Sequence, residues 1–468
     1  MELNLSVPSV GFIPERFPRD PVEINTYLEH MAVGQVLESI VTCNQHGIIA
    51  PGLAQKWTIS PDGKTLVFAL FDGLFFSNGL SLGAADVKFS IERHIHAISQ
   101  SKPFLQCLEK ITVISPLILE FKLSVGEPAF IKALSRDHVG IVPQSWTFDS
   151  QNAEPYIGTG PYRVIKRDGN WHYLLNEKYR NKSDKMIPNW RILLSDTPLK
   201  SMESGIMPDY MPLSSRITTD EISKLMNSGC THNIEPAVHF AQASAWWNPY
   251  GANVNSKEIK YRSMCAFKNL VDLRRKELGF EIATGVIPKG VEGYLEKPFI
   301  GKEEILDGAS NLLIKVRAAS SELDLIFDKS SVLGVENRLN VKFVATPVDL
   351  SKVADAPEQQ PDIIIGSWFG ACNDPEGFIA ILTHLLKINL TDYFGNLSDL
   401  YLRARRELDS IKRADLYQEL NVKFLAENMM VPIWKCETFC IARRNLLVTP
   451  SSFRYSPGLA DVEFAQNI

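Results

Sequence analysis

The strongest constraint on the fold is a change of hydrophobic period along the chain. From Trp57 to Arg180 apolar residues mostly alternate in short runs broken by turns, the pattern of half-buried strands. "WTISPDGKTLVFAL" shows two such runs around a Pro-Asp-Gly turn, and "IGTGPYRVIKRDGNWHYLLNEKYR" reads as turn, strand, turn, strand. One helix interrupts them: in "SLGAADVKFSIERHI", Asp86 suits the first turn, and Val87, Ile91 and Ile95 recur at four-residue spacing. Beyond residue 310 the texture alternates, with "LDLIFD" and "LNVKFVATPVD" as strands around a helix. Leu3–Val7 reads as a strand, Tyr27–Ile40 carries helical spacing, and Gly285–Pro298 reads as a long loop. These patterns predict an α/β protein with a β-rich early third.

At 468 residues, two or three domains are expected. A net charge of −5 supplies no basic field for nucleic acid or anionic lipid, so no nucleic-acid partner is expected. The start, "MELNLSVPSV", lacks the basic and apolar regions of a secretory signal. It suits an exported protein in mature form with an added Met, or a cytosolic or fused domain. Seven irregularly spaced cysteines form no disulfide framework and lean toward a reducing compartment.

The stretch "IIIGSWFGACNDPEGF" (Ile363–Phe378) carries an aromatic, a cysteine and a carboxylate at the mouth of a strand. Asp374 at an N-cap, Pro375 next and Glu376 in the first turn open a helix. Phe378, Ile381, Leu382, Leu385 and Leu386 would form its buried face. A second helix carries Leu416, Leu420 and Phe424, ends near Asn428 and leads into the strand "MVPIW".

Candidate chemistry is sparse. "GTGPY" (Gly158–Tyr162) leads into a strand rather than a helix, so a structural turn outweighs a phosphate cradle. His94 and His96 point to different sides of a helix, which predicts a solvated face rather than a metal pair. Cys436 and Cys440, on a strand reading, lie too far apart for a disulfide or a shared metal. Cys372 shows no base beside it, and a small buried thiol is the commoner case. No catalytic set, metal site or cofactor is expected. Trp368, beside Gly366 and Gly370, suits either a cleft wall or a core, and so do Trp246 and Trp247.

Taken in order, "PGLAQKWTISPDGKTLVFAL", "LFDGLFFSNGLSLGAADVKFSIER", "IGTGPYRV" and "VPIW" resemble the periplasmic substrate-binding proteins of the peptide and nickel class of ABC importers, solute-binding protein family 5. "GVIPKGVEGY" and "GSWFGACNDPEGF" are similar to family segments as well. The resemblance implies a two-lobed type II clamp of the large peptide-binding class, with an extra subdomain in the first lobe. Lobe I would comprise residues 1–35, 151–239 and 432–468, the inserted subdomain 36–150, and lobe II 240–431. It implies a monomer that closes on a small ligand between its lobes by hinge motion, delivers it to a permease and leaves it unchanged. The ligand would be peptide-like, a modified peptide or a metal chelate. Trp368, Phe369, Ala371 and Cys372 would line the site, with Trp246, Trp247 and Asn248 near the start of lobe II.

Departures from the family pattern narrow this. Peptide-binding members place an Asp, which pairs with the ligand's α-amino group, at the position held here by Ala371. A charge-assisted hydrogen bond contributes about 1.5–3 kcal/mol, so free-amine peptides should bind poorly. Phe71 stands where an Arg is usual, and Gly83 where a Thr is usual. Two other readings remain at this stage. One is a sensor of the same fold in a regulatory protein. The other is a hydrolase whose turnover Cys372→Ser would abolish.

Overall fold

The computed structural model describes residues 7–13, 17–24, 27–44, 47–97, 101–194, 208–213, 232–237, 240–248, 251, 256–299, 311–318, 320–347, 361–370, 374–379, 393–435, 438–448 and 458–465. They fall into two compact units. The first holds the described residues up to 213, the segment 232–237 and those from 438 onward; the second holds 240–435. Among the described residues the chain leaves the first unit after Ala237 and returns to it at Thr438.

The first unit is built on a seven-stranded mixed sheet. Its order is His232–Ala237, Thr438–Arg443, Tyr210–Leu213, Ser9–Ile13, Asn189–Leu194, Asn170–Leu175 and Tyr162–Arg167. The Thr438–Arg443 strand thus sits between two strands made some two hundred residues before it, as the returning end of the chain requires. Residues far apart in sequence, among them Val36, Tyr162, Trp190, Tyr210, Ala442 and Leu459, share one core. A separate four-stranded antiparallel sheet runs Ala54–Ile59, Thr65–Leu70, Ile118–Leu123, Leu108–Ser115. Thr65–Leu70 buries alternate residues, as its period-2 pattern predicts.

"GTGPY" is a packing turn. The Gly160 N–H donates to the Val36 carbonyl at 2.9 Å, and a Cβ on Gly158 would collide with that same oxygen. The chain passes too close to Val36 for any side chain there.

The second unit carries a five-stranded sheet ordered Val341–Pro347, Leu312–Ala318, Ile363–Gly370, Phe240–Trp247, Met430–Lys435. The first three strands are parallel, and Phe240–Trp247 runs antiparallel to both of its neighbours. Both faces are covered, so neighbouring residues enter opposite cores. Ile363, Ile365 and Trp247 pack with the Lys257–Leu278 helix side. Ile364 and Trp246 pack with Tyr401, Tyr417 and Phe424, on the side of the Ser398–Arg406 and Ser410–Ala426 helices.

Several local expectations change. "LDLIFD" belongs to a helix, Ser320–Ile326, followed by Asp328 as the N-cap of Lys329–Leu339. Leu323 and Ile326 are both buried, three residues apart as on one helix face, within an apolar run too short for the sequence to tell helix from strand. The helix from Tyr27 ends at Gly34 rather than Ile40, giving way to the strand Val41–Cys43. The solvated face expected for His94 and His96 holds for His96 alone. His94 is buried beside His138, with ring centroids 5.7 Å apart. Cys43 is disulfide-bonded, against the lean toward a reducing compartment. Residues 3–6 of the expected first strand and the helical positions Ile381, Leu382, Leu385 and Leu386 lie outside the described residues. No described helix is long and apolar enough to cross a membrane.

Candidate ligand-binding wall

Strand Ile363–Gly370 ends in Trp368, Phe369 and Gly370, and the chain is next described at Asp374. Trp368 pairs across the sheet with Gln242, and Phe369 with Ala241. Ala371 and Cys372 lie outside the described residues. The other three candidates sit at the opposite end of the same strand pair, because Trp246 faces Ile364 and Trp247 faces Ile363. Trp246 and Trp247 are buried in the two cores. Asn248 is fully buried and bridges to the next segment, its amide nitrogen donating to the Pro361 carbonyl at 2.8 Å and its backbone N–H to Asp362. The strand pairing therefore separates these three from the Trp368 end.

The Trp368 end is backed by a buried polar network. Asp374 caps the short helix Glu376–Ile379, its Oδ1 accepting from the Glu376 N–H at 2.9 Å. The Arg413 guanidinium, from the Ser410–Ala426 helix, donates to both Asp374 carboxylate oxygens at 2.9 and 3.2 Å and also to Glu292. Burial opposes the Arg413 charge, but the surrounding carboxylates, Asp374 first, outweigh it and push its pKa up.

Glu376 is fully buried and accepts from the Tyr401 hydroxyl at 2.7 Å and the Tyr417 hydroxyl at 2.5 Å, with Arg405 at 3.9 Å. Desolvation raises its pKa, while Arg405 and the two phenols hold it down in part. Burial, reinforced by Glu376, lifts both tyrosines well above their ordinary range, so they remain donors.

The same helix holds the loop that starts at Gly285. Asn421 accepts from the Val286 N–H at 2.9 Å and donates to the Gly293 carbonyl at 3.1 Å, and Gln418 donates to the Tyr294 carbonyl at 3.0 Å. Gln242, opposite Trp368, donates to the Gly285 carbonyl at 2.6 Å. Loop and turn are thus fastened to one helix by Arg413, Tyr417 and Asn421, spaced four residues apart along one face. The sequence reading missed all of these polar residues. Their signal is a polar side chain at a position the helical period assigns to the buried stripe of Leu420 and Phe424.

In the first unit, Ser101, His138 and His30 form a chain: Ser101 Oγ lies 2.7 Å from His138 Nε2, and His138 Nδ1 lies 2.9 Å from His30 Nδ1. The connectivity is that of nucleophile, base and orienter, but Ser101 is fully buried and presents no surface to a substrate. Among the described residues no group of His, Cys, Asp and Glu has metal-holding geometry.

Residues 49–200 match the family model of the bacterial extracellular solute-binding proteins, family 5 middle. Over 91% of this chain and 87% of the relative, the sequence is 22% identical to the oligopeptide-binding protein OppA of Bacillus subtilis. The fold is that of the PBP AgaA from A. tumefaciens R10, solved with agropinic acid, at a TM-score of 0.80, 17% identity and 99% coverage of both chains. It is likewise that of DppA from Helicobacter pylori, an ABC transporter-associated periplasmic binding protein solved with the peptide STSA, at a TM-score of 0.79, 16% identity and 98% coverage of both. The fold is thus that of the two-lobed periplasmic binding proteins. Over residues 49–200 the chain is similar to family 5, the peptide and nickel class.

Proposed function

We propose that this chain is the extracytoplasmic, monomeric solute-binding component of an ABC importer. It captures a small ligand by hinge closure of its two units, delivers it to a permease and does no chemistry on it. The ligand is peptide-like, a modified peptide or a metal chelate, and it lacks a free α-amino group. Trp368, Phe369, Ala371 and Cys372 form the wall it meets. Trp246, Trp247 and Asn248 anchor the far end of the paired strands.

One observation carries the ligand class. The carboxylates that follow position 371 are already committed: Asp374 to Arg413 and its own helix, Glu376 to two tyrosines. Only 6% of Asp374 and none of Glu376 is exposed, so neither replaces the absent amine anchor. A ligand ammonium buried there without a partner would cost several kcal/mol, of the order of a broken buried pair. Native mass spectrometry of gently purified protein tests the reading. The expected finding is a bound small molecule without a free α-amine, and an ordinary free-amine peptide in its place overturns it.

A further inference from the structure

We infer that Arg413 is the positioning residue of the ligand wall: its buried guanidinium holds the Asp374 turn and the Gly285–Tyr294 loop in one fixed arrangement, without itself touching ligand. This rests on the reading of the Trp368–Cys372 stretch as the wall.

Arg413 is 1% exposed and joins two segments that are far apart in sequence, Asp374 on one side and Glu292 on the other. Asp374 lies three residues past Ala371, so the position of the turn sets where the wall ends. Planar, forked donation fixes direction as well as distance, which a single ammonium cannot do. The helix that carries Arg413 has its own apolar anchors in Leu420 and Phe424. Loss of the guanidinium should therefore loosen the turn and the loop while leaving the rest of the unit folded. Sites need such support, because small displacements of a wall weaken binding steeply.

Hydrogen exchange of the full chain, read by mass spectrometry, tests this on the wild type, Arg413→Met and Arg413→Lys. Exchange in 363–379 and 284–294 should rise about tenfold in both variants, with the parallel strands Leu312–Ala318 and Val341–Pro347 unchanged. Lys keeps the charge but not the fork, so its following Met marks positioning rather than neutralisation. A rise spread evenly over the second unit, or full rescue by Lys, overturns the inference. If the Met variant fails to fold, the Lys variant carries the test.

A second arm adds an equimolar mixture of N-acetylated di- and tripeptides. Protection of 363–379 in the wild type, with affinity about tenfold weaker in Arg413→Lys at unchanged melting temperature, is the expected result. Unchanged affinity in the Lys variant overturns the inference. Protection that falls elsewhere sinks the wall reading, while the local exchange result still decides whether Arg413 fixes the turn and the loop.

Discussion

The guanidinium of Arg180 stacks over the ring of Phe71, 4.9 Å from its centroid, while pairing with Glu38 at 3.2 Å. Phe71 stands where the family usually has an arginine, and here a positive charge arrives from a different part of the chain. Phe71→Ala should cost about 1–2 kcal/mol, the range of a partly desolvated cation–π contact. Phe71→Arg, which restores the usual residue, should cost at least as much, because it sets two guanidinium groups together. Urea midpoints at constant slope check both.

Restoring the amine anchor should change ligand choice. Ala371→Asp is expected to raise affinity for a free-amine dipeptide roughly 10- to 100-fold, the equivalent of one charge-assisted bond of about 1.5–3 kcal/mol. Titration calorimetry on the variant and the parent reads this directly. An unchanged affinity would remove position 371 from the site.

Acid should weaken the first unit through His94. Burial lowers its pKa to about 3, with Arg93 adding to the effect and a bond to the His138 backbone opposing it. A group whose folded pKa is depressed contributes fully above its unfolded value, near 6.5, and progressively less as pH falls below it. The loss between roughly pH 7.5 and pH 5 comes to about 2 kcal/mol at 1.36 kcal/mol per unit. His94→Asn should be less stable at neutral pH yet show a shallower decline, so the two stability curves converge in acid. Parallel curves would mean that His94 does not carry the proton linkage.

Gly158→Ala tests the packing turn. Its Cβ would collide with the Val36 carbonyl oxygen, and backbone must shift to admit it. The expected cost is about 2 kcal/mol or more, as for overpacked cores. A melting temperature within a degree of the parent would show that the turn can move.

The fold was largely legible because its cues are local and repeated. Alternation in Thr65–Leu70, the acidic first turn at Asp86 and the Asp-Pro start at 374 each act over a few residues. The short run "LDLIFD" misled because an apolar run of so few positions suits either a helix or a strand. What lies behind the candidate strand mouth was not legible. Arg413, Glu376 and Asn421 matter through partners between 25 and 135 residues away, and no spacing rule reaches that far. His94 was misplaced for the same reason: His138 lies in a different segment.

The place of Thr438–Arg443 in the first sheet has a consequence for synthesis. Strand His232–Ala237 is the edge strand and pairs, among the described residues, only with this late arrival. The second unit can therefore be complete while the first still lacks an interior strand. With about 200 residues between the two partners and a ribosome adding roughly 5–20 residues per second, that edge waits on the order of 10–40 s for its neighbour. The unit that begins the chain is the last to close.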